Sequence, residues 1–368
     1  MRVIVTGGGT GGHIYPALAI ARGLMQRDPR AEVLYVGTKR GLEKDIVARE
    51  GLPFRAVEVE GLQRRISLSA LRTAWLAVSG VWAARRIVRE FRPDIVVGTG
   101  GYVVAPVVFG AYTAHVKTAI LEMDARAGLA NRLAARVVDV VMLGMEDATG
   151  AFSRVRRVVT TGNPRATEVT RVTAERKEAA AAELNLPDRG FVVTIFGGSR
   201  GASPLNQAVL EWLRVSPRVG THVVWITGQV HYEQMSEALG DTSGVTVTPF
   251  FHDMPALLTR TSLLISRAGA TTLAEITALG VPAILIPSPY VTHRHQDDNA
   301  AVLKNAGAAV VLDEEQLDGE ALRKEVDSLL GNRFRLEEMA GASRRLGHPE
   351  ALSRILAEID RMVTLAKL

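Results

Sequence analysis

The sequence lacks cysteine and any long apolar run. Because none of its 368 residues is cysteine, disulfide bonds, thiolate metal ligands and a cysteine nucleophile are all excluded. Hydrophobic residues make up 47% of the chain, yet no stretch approaches the roughly 18 unbroken apolar residues of a membrane span. The first apolar residues pass directly into glycines and not into the core of a signal peptide. We therefore expect a soluble protein that is not exported.

Recognisable nucleic-acid-binding patterns are also missing, although the chain is basic. Its formal net charge is +5, which suits nucleic acid, an anionic membrane surface or a phosphorylated substrate. No helix-turn-helix, zinc-finger or RNP-type pattern accompanies the positive charge. A phosphorylated substrate or an anionic membrane is therefore a better expectation than nucleic acid.

A glycine-rich loop follows the first predicted strand. Residues 2–6 are mainly apolar and lead into GGGTGGH at residues 7–13, after which apolar residues recur at helical spacing. The glycines have the GxGxxG spacing of a dinucleotide-binding turn. Such a turn is normally paired with an acidic residue at the tip of the second strand, but residues 37–39 are Gly-Thr-Lys. A loop that binds a different phosphate is the better interpretation.

His13 provides the imidazole of this loop, at the point where the loop enters a helix. An imidazole with a pKa near ~6.5 can take a proton from a sugar hydroxyl at neutral pH. A histidine at a helix start can also simply cap the helix or pack against it. The residues alone leave both roles open.

Strands and helices alternate through the first half. Predicted strands at residues 54–59, 95–98, 118–121 and 137–142 are separated by helical segments, which is the pattern of a doubly wound parallel sheet. A second glycine turn, GTGG at residues 98–101, ends one of these strands. Two such turns facing one cleft would form an extended cradle for a diphosphate.

Residues 63–92 combine apolar and basic side chains on one predicted helix, with Glu90 as the sole acid. A basic helix with exposed tryptophan and leucine is typical of peripheral attachment to anionic lipid. The residues that would form this membrane patch are Leu68, Leu71, Arg72, Trp75, Trp82, Arg85 and Arg86. The alternative is a core helix with a solvated basic face, because Trp75 and Trp82 are a heptad apart and could both point inward.

The alternation breaks near residues 160–165, where we place a domain linker. The chain is long enough for two domains, since domains typically hold roughly 100–200 residues. The second half repeats the layout of the first, because a strand at residues 191–196 ends in GGSRGA at residues 197–202 and a helix follows. We therefore predict a second nucleotide-binding-like α/β domain, and a final amphipathic helix from residue 350 that folds back onto the first.

The most informative stretch runs from residue 266 to residue 299. A short apolar strand ends in SRAGATT, and a helix begins there. Free backbone N–H groups at such a helix start attract phosphate, and Glu275, one turn in, can accept hydrogen bonds from ribose hydroxyls. A second helix opens with HQDDN at residues 295–299, whose amides and imidazole could read sugar hydroxyls. A diphosphate attached to a sugar fits these features.

Together these motifs closely resemble the lipid I N-acetylglucosaminyltransferases of bacterial peptidoglycan synthesis, the MurG-type family. The matching stretches, in order and similarly spaced, are residues 7–13, 98–102, 162–165, 197–202, 266–270, and His295-Gln296 with Asn299-Ala300. The resemblance implies a GT-B fold, in which two Rossmann-like doubly wound α/β domains face a central cleft. It also implies an inverting transfer of GlcNAc from UDP-GlcNAc to the MurNAc C4 hydroxyl of undecaprenyl-diphosphate-linked lipid I. The product, lipid II, serves cell-wall growth, cell shape and cell division.

The same resemblance divides the chain between two substrates. Residues 1–162 with the C-terminal helix 348–368 would bind lipid I and face the membrane, and residues 163–347 would bind UDP-GlcNAc. His13 would be the catalytic base. The acceptor diphosphate loops would contain Gly9, Gly100, Gly101, Tyr102 and Asn131. The residues implied at the donor are Thr10, Gly11, Gly12, Asp124, Arg165, Ser199, Phe251, Ala270, Thr271, Thr272, Glu275 and Gln296.

The family also implies individual donor contacts. Ser199 would contact the diphosphate, residues 270–272 the phosphate region and Glu275 the ribose. Gln296 would read the GlcNAc hydroxyls, and the backbone at Phe251 would read the uracil.

No cofactor is implied, since one base and a stabilised UDP leaving group suffice for a single displacement. The sequence has no DxD pair, and Asp297-Asp298 is interpreted as an acidic pair at a helix N-terminus. We expect no essential metal and no nucleic acid partner. Because the acceptor is anchored in lipid, we expect a peripheral position on the cytoplasmic face of the bacterial cell membrane, where other cell-wall synthesis proteins are candidate partners.

One motif departs from the family's pattern. After the fifth strand the family usually has His-Glu-Gln-Asn, whereas residues 121–124 are Leu-Glu-Met-Asp. An ionised aspartate accepts hydrogen bonds, does not donate them, and repels a nearby phosphate. We therefore expect Asp124 to face a sugar hydroxyl of donor or acceptor. The departure keeps open a related transferase with another lipid or glycoside acceptor.

Two further functions are distinguishable from a transferase. A nicotinamide oxidoreductase is disfavoured by the missing acid at the tip of the second strand and by the second glycine-rich domain. A non-catalytic nucleotide-sugar-binding protein would bind UDP-GlcNAc equally well with His13 replaced, and would transfer sugar to no acceptor.

Overall fold

The computed structural model contains two compact units. The first comprises Met1–Arg165 with Glu350–Leu368, and the second comprises Ala166–Pro349. The structure describes residues 1–39, 41–59, 68–198, 201–215, 220–240, 242–291 and 294–366, and for residues 68–77 it describes only the helix backbone. The predicted domain boundaries, after residue 162 and before residue 348, lie beside these divisions.

Strands and helices alternate along the first unit. In chain order they are β1 (Arg2–Thr6), α1 (Gly11–Arg27), β2 (Glu32–Thr38), α2 (Glu43–Arg49), β3 (Phe54–Val57), α3 (Leu68–Phe91), β4 (Ile95–Gly98), α4 (Val104–Thr113), β5 (Lys117–Glu122), α5 (Leu129–Ala134), β6 (Val140–Leu143), a 3₁₀ helix (Glu146–Phe152) and β7 (Val158–Thr160).

The second unit repeats this alternation. Its elements are α6 (Arg165–Thr170), α7 (Ala174–Glu183), β8 (Phe191–Phe196), α8 (Ser203–Val215), β9 (Thr221–Ile226), α9 (Tyr232–Leu239), β10 (Val245–Thr248), α10 (Met254–Leu258), β11 (Leu263–Ser266), α11 (Ala270–Leu279), β12 (Ala283–Leu285), α12 (His295–Asn305), β13 (Ala309–Val311), a 3₁₀ helix (Glu314–Gln316), α13 (Gly319–Leu330) and α14 (Arg333–Leu346). The last helix, α15 (Ala351–Leu365), belongs to the first unit.

Each unit has one parallel sheet with a topological switch point. The strand orders are β3-β2-β1-β4-β5-β6-β7 and β10-β9-β8-β11-β12-β13. In the first sheet the chain moves outward from β1 to β3 and then crosses back to place β4 beside β1, and β8 and β11 do the same in the second. Ligands of such sheets bind outside the carboxyl ends of the strands at this reversal. The loops after β1, β4, β8 and β11 therefore flank the two candidate sites.

Apolar strands covered on both faces explain why the sheets form where the sequence predicts them. Val3, Ile4 and Val5 of β1 are fully buried, as are Leu263 and Ile265 of β11. Continuous runs of this kind are typical of parallel strands packed between two helical layers. The prediction of two Rossmann-like doubly wound domains is confirmed.

Several boundaries differ from the predicted ones for local physical reasons. Helix α1 begins at Gly11, ahead of the apolar residues that predicted its start, because the Ile14 N–H already donates to the Thr10 carbonyl at 3.2 Å. Strand β7 was not predicted, since it has three residues, only partly buried, at the edge of the sheet. Strand β2 extends through Thr38, beyond its predicted end.

Helix α15 packs against α1 and carries a charged clamp. Leu352 lies against Gly23, where a β-carbon would come within 3.0 Å of the leucine methyl groups. Glu358 accepts hydrogen bonds from the Arg157 guanidinium at 2.6 and 2.9 Å and from Arg361 at 3.1 Å. Burial opposes ionisation of Glu358, but the hydrogen bonds from the two arginines outweigh it and lower the pKa of the carboxyl. The clamp holds the chain's last helix on the first unit, as the sequence predicts.

Replacing Glu358 with alanine is expected to lower the free energy of unfolding of the first unit by about 2 kcal/mol, because hydrogen bonds to charged groups contribute about 1.5–3 kcal/mol. Since the pKa of Glu358 is lowered by folding, its contribution exists above the unfolded-state pKa and is lost as the pH falls through the folded-state pKa. Urea unfolding followed by circular dichroism at neutral and acidic pH measures both effects.

Asp360 provides the matched control on the same helix. It accepts two hydrogen bonds from Arg27, at 2.6 and 2.7 Å, but both side chains of this pair are more than a third exposed. Asp360→Ala should therefore cost less than about 1 kcal/mol. Equal losses in the two variants would contradict a special role for the buried clamp.

Candidate active site

The two glycine turns of the first unit lie side by side at the switch point of its sheet. Thr6 at the end of β1 pairs with Gly98 at the end of β4. Just beyond them, Thr99 N–H donates to the Thr6 carbonyl at 2.8 Å, and Gly8 N–H donates to the Gly100 carbonyl at 3.3 Å. The two glycine turns are therefore joined to each other by backbone hydrogen bonds.

His13 lies in the first turn of α1, half-buried against the second glycine turn. Its Nδ1 is 3.1 Å from the Thr99 carbonyl oxygen, which can only accept a hydrogen bond. Nδ1 must therefore carry the hydrogen in the neutral ring, which makes Nε2 the basic nitrogen. The Thr99 hydroxyl in turn donates to the His13 carbonyl at 2.7 Å. These two contacts with Thr99 fix the orientation of the imidazole.

Glycine is required at the contact between the two turns. Gly100 has φ +112°, and a β-carbon there would overlap His13 Nδ1. Gly101 has φ +85°, and a β-carbon there would overlap the Gly8 carbonyl oxygen. Both conformations are strained for any L residue with a side chain. Gly9, with φ +87°, lies against the Tyr102 ring, where a β-carbon would come within 3.3 Å of a ring carbon.

A buried carboxylate lies at the end of β2, where the sequence did not predict one. Glu43, in the first turn of α2, accepts hydrogen bonds from the Thr38 amide at 2.8 Å and the Thr38 hydroxyl at 2.6 Å. The expectation that no carboxylate lies at this tip is therefore wrong. Glu43 is 0% exposed and enclosed by Gly8, Gly37 and Gly41, so it is closed to a ribose. It braces the loop instead of binding a dinucleotide.

Tyr35 supports the same loop from below. Its hydroxyl donates to the Gly7 carbonyl at 2.6 Å. Burial, reinforced by the charge of Glu43, raises the pKa of the Tyr35 hydroxyl, so it keeps its proton and remains a donor at physiological pH. Tyr35 lies within β2 and Glu43 begins α2, so the two residues flank the end of the strand in the sequence. This spacing was the sequence feature that could have indicated the two supporting side chains.

Residues 121–124, the motif that departs from the family's pattern, lie at the carboxyl end of β5, the strand next to β4. Strand β5 pairs with β4, and its last residue, Glu122, is 3% exposed. Glu122 accepts hydrogen bonds from the Asp124 amide at 3.1 Å, the Gly128 amide at 2.9 Å and Asn131 Nδ2 at 3.0 Å. The structure thus brings Asp124 and Asn131 together around a carboxyl that the sequence did not single out as a site residue.

In the second unit, the predicted phosphate site is the start of α11. This ten-residue helix begins at Ala270 after Gly269, which provides no side-chain cap for the first N–H groups. Glu275 lies in its second turn and is largely buried. Asn299, at 0% exposure, donates to the Ala268 carbonyl at 3.1 Å and so ties α12 to the loop that precedes α11. The two predicted donor helices are joined at their starts.

Arg267 braces these loops and was not predicted as a site residue. Its Nη1 donates to the Ile286 carbonyl at 3.1 Å, and its Nη2 forms an ion pair with Glu314. Both side chains of the pair are nearly buried. In the loop that Arg267 reaches, the Ser288 amide donates to Gln296 Oε1 at 2.9 Å. Because Oε1 is occupied by this contact, the Nε2 hydrogens of Gln296 are the ones that could be donated to a sugar oxygen.

The remaining predicted donor residues are dispersed. Phe251 is buried in the loop after β10. The Arg165 guanidinium lies 5.7 Å from the centre of the Tyr15 ring. Thr10 and Gly12 are exposed, Gly11, Thr271 and Thr272 are half-buried, and Ser199 lies outside the described residues.

Helix α3 exposes the described part of the predicted membrane patch. Trp82 is 64% exposed, so the alternative in which it points into the core is wrong. The Arg85 guanidinium lies 5.4 Å from the centre of the Trp82 ring, and Arg86 pairs with Glu90 at 2.8 Å. A shallow cavity of about 290 Å³ runs between these side chains and Arg89. The side chains of Leu68, Leu71, Arg72 and Trp75 lie outside the described part.

Neither a membrane span nor a metal cluster is found in the described part of the chain. No helix there is both long and apolar enough to cross a bilayer. No group of three or more histidine, aspartate or glutamate side chains there has the arrangement of a metal site. Asp297, in the first turn of α12, pairs with Arg294 at 2.5 Å.

Both domains of one glycosyltransferase family match this chain. The pattern of the glycosyltransferase family 28 N-terminal domain matches residues 3–143, and that of the family 28 C-terminal domain matches residues 192–355. The first match contains the two glycine turns and His13. The second contains the starts of α11 and α12.

Curated relatives match over nearly the full length. A Listeria welshimeri protein is 44% identical over 98% of this chain and 99% of its own, and a Bacillus subtilis protein is 42% identical over the same shares. Both are named UDP-N-acetylglucosamine–N-acetylmuramyl-(pentapeptide) pyrophosphoryl-undecaprenol N-acetylglucosamine transferase. The crystal structure of Acinetobacter baumannii MurG matches with a TM-score of 0.78 at 27% identity, covering 98% of this chain and 99% of that one. A UDP-GlcNAc 2-epimerase from Neisseria meningitidis shares the fold at 15% identity, with a TM-score of 0.70 over 98% of this chain and 100% of that one.

Proposed function

The chain belongs to glycosyltransferase family 28, and from this membership we propose that it transfers GlcNAc from UDP-GlcNAc to lipid I, forming lipid II. The acceptor atom is the C4 hydroxyl of MurNAc on the undecaprenyl diphosphate. The observation that carries this proposal is the similarity, over nearly the whole chain, to relatives named for this transfer. The orientation of His13 supports it independently, because the ring presents Nε2 as a base at the switch point of the first sheet.

The proposed reaction is a single displacement with inversion. The acceptor C4 oxygen attacks C1 of GlcNAc, its proton passes to His13 Nε2, and the bond from C1 to the UDP oxygen breaks. The glycine turns of the first unit supply backbone N–H groups for the acceptor diphosphate. Gly9, Gly100, Gly101 and Tyr102 form this cradle in the proposal.

The proposed donor site uses the second unit. The N-terminus of α11 stabilises the negative charge on the departing UDP, and the Thr271 and Thr272 hydroxyls lie in its first turn. Glu275 accepts from the ribose and Gln296 Nε2 donates to GlcNAc. We propose no metal cofactor for this chemistry, because helix N-termini and arginines can carry the charge of the leaving group.

A direct transfer assay tests the function. Wild-type protein with radiolabelled UDP-GlcNAc and a short-chain lipid I analogue is expected to form labelled lipid II, separable by chromatography. Binding of UDP-GlcNAc without transfer to lipid I would overturn the acceptor assignment and preserve the donor site. Failure to bind UDP-GlcNAc would overturn both.

We further propose that α3 attaches the protein to the cytoplasmic face of the cell membrane. The exposed Trp82 ring and the basic side chains around it supply the apolar and electrostatic contributions that interfacial binding needs. A lipid-anchored acceptor gives such attachment a purpose, since it confines the enzyme to the surface where its substrate lies.

Trp82→Ser is expected to weaken binding to anionic vesicles by roughly 10- to 150-fold, because burial of a large apolar side chain contributes about 1.5–3 kcal/mol. Arg85→Ser should weaken it about fivefold at low salt, since each basic residue near such a surface contributes about 1 kcal/mol. Vesicle co-sedimentation measures both. Phe334→Ser is the control, because Phe334 is equally exposed but lies in the second unit. A loss as large in the control would contradict the patch.

A further inference from the structure

We propose that the imidazole of His231 binds the diphosphate of the UDP-sugar by donating a hydrogen bond to a phosphate oxygen. His231 ends the loop after β9, immediately before α9. The inference rests on the proposed function for the identity of the donor, because the loops on either side of His231 are those assigned to UDP. It adds to the donor site a residue that lies in neither the glycine turn nor the helix starts assigned to UDP-GlcNAc.

The order of the strands places His231 between the assigned contacts of the nucleotide. Strands β8 to β11 are parallel, so the loops that follow them lie at one edge of the sheet. Strand β9 lies between β8, whose glycine turn is assigned to the diphosphate, and β10, whose following loop is assigned to the uracil. A nucleotide that reaches both loops therefore passes the carboxyl end of β9, where His231 lies.

The His231 ring lies directly against the glycine turn that follows β8. This turn is closed by a hydrogen bond from the Gly201 amide to the Gly198 carbonyl at 2.9 Å. A β-carbon at Gly201 would lie 2.8 Å from His231 Cδ2 and 3.5 Å from its Nε2, and 2.8 Å from the Thr227 carbonyl oxygen. The edge of the imidazole that carries Nε2 therefore faces the phosphate turn.

The loop that carries His231 is fixed to the elements around it. The Thr227 amide donates to the Thr248 carbonyl at the end of β10 at 3.1 Å, and the Thr227 carbonyl accepts from Asn206 Nδ2 at 2.9 Å. Asn206 is buried on α8, the helix that follows the glycine turn. The His231 amide donates to the Gly228 carbonyl at 3.1 Å and closes the loop itself. The backbone that presents the imidazole is therefore positioned before a ligand binds.

The half-buried imidazole of His231 has hydrogen-bonding capacity to spare. Among the residues that the structure describes, none forms a hydrogen bond or an ion pair with this ring. His13 differs, because its Nδ1 is committed to the Thr99 carbonyl. A neutral imidazole has one N–H donor, and phosphate oxygens are strong acceptors. The His231 ring is thus a donor beside the turn to which the diphosphate is assigned.

Two variants of His231 separate a hydrogen bond from simple packing. His231→Phe keeps an aromatic ring against Gly201 and removes both nitrogens, whereas His231→Gln keeps an N–H donor and removes the ring. Loss of a hydrogen bond to a charged group should weaken UDP binding about tenfold in His231→Phe, while His231→Gln should stay within about threefold of wild type. Isothermal titration with UDP measures both affinities. The proposal is overturned if His231→Gln is the weaker binder, or if His231→Phe binds as tightly as wild type.

Uridine, which lacks both phosphates, identifies the part of the nucleotide that His231 contacts. In displacement titrations against UDP, the affinity for uridine should be the same in wild type and His231→Phe. An equal loss for uridine and UDP would place His231 at the nucleoside and overturn the diphosphate contact. His222→Gln is the control, because His222 is a half-buried histidine near the amino end of the same strand, 2.9 Å from the Thr246 hydroxyl. This control should bind UDP as wild type does.

Steady-state kinetics separates this inference from the proposed function. The KM for UDP-GlcNAc should rise about tenfold in His231→Phe, and the KM for a lipid I analogue should not change. If wild type binds UDP but transfers no GlcNAc to lipid I, the proposed function fails, and the titrations still decide the role of His231. Absence of UDP binding by wild type would overturn both.

Discussion

His13→Ala is expected to lower turnover by about 10²–10⁴-fold, the usual contribution of a positioned general base. Binding of UDP-GlcNAc should be largely retained, because the proposed phosphate, ribose and GlcNAc contacts at α11 and α12 lie in the second unit. The acid limb of the kcat/KM profile against pH should also disappear, since it reports protonation of the base. Radiolabel transfer and isothermal titration with UDP-GlcNAc measure the two halves of the prediction.

His115→Asn serves as the control. His115 is exposed and precedes β5, so it lies at the amino ends of the strands, whereas His13 lies at their carboxyl ends. Asparagine tolerates the φ of +60° at this position. This variant should transfer GlcNAc at the wild-type rate. If His13→Ala retained wild-type turnover, the ring would be a structural element of the helix start and the base would have to be sought elsewhere.

Gly101→Ala is expected to lower transfer at least about 100-fold, because displacement of reacting groups by about 1 Å can cost that much. The added β-carbon would overlap the Gly8 carbonyl, so one of the two glycine turns must move. The same shift should lower the thermal midpoint of the first unit. Differential scanning calorimetry and the transfer assay on the same preparation measure both effects.

Gly51→Ala separates backbone strain from steric overlap. Gly51 has φ +68°, but nothing lies within 4 Å of the position that a β-carbon would take. The change should cost about 1–2 kcal/mol of stability from the unfavourable φ and leave the transfer rate unchanged. If Gly101→Ala were no more harmful than Gly51→Ala, the contact between the two glycine turns would not matter for the reaction.

The two units use one architecture for different tasks. Each has its predicted substrate loops at the switch point of a parallel sheet. The first presents packed glycine turns and an oriented imidazole, whereas the second presents a helix start with a buried acid and a braced arginine. A transferase is favoured over a protein that only binds a nucleotide sugar by the relatives named as N-acetylglucosamine transferases.

The structure also bears on the oxidoreductase alternative. An acid does reach the end of β2, but Glu43 is sealed under the glycine loop and paired with Thr38. A ribose hydroxyl could not reach it without opening the loop. The argument against a dinucleotide therefore rests on the burial of this acid and not on its absence.

Much of the fold could be predicted from the sequence because its signals are local. Buried parallel strands such as β1 are continuous apolar runs, and Gly7, Gly9 and Gly12 mark the turn that follows by their spacing alone. The fold class and the family follow from such motifs in order. Some boundaries were less accurate, since α1 begins on Gly11 and Gly12, ahead of the apolar periodicity that predicted it.

The site's chemistry was decided by contacts between residues distant in the chain. The sequence determined that an imidazole follows a glycine turn, but its tautomer depends on the Thr99 carbonyl, 86 residues away. The sequence placed Asp124 in a departing motif, but the burial of Glu122 beside it and the hydrogen bond from Asn131 are set by the fold. Periodicity and turn-forming residues act over a few positions, so they can be recognised in the sequence alone. Hydrogen-bond partners, desolvation and exposure, as at Trp82, are set by which segments the folded sheets bring together.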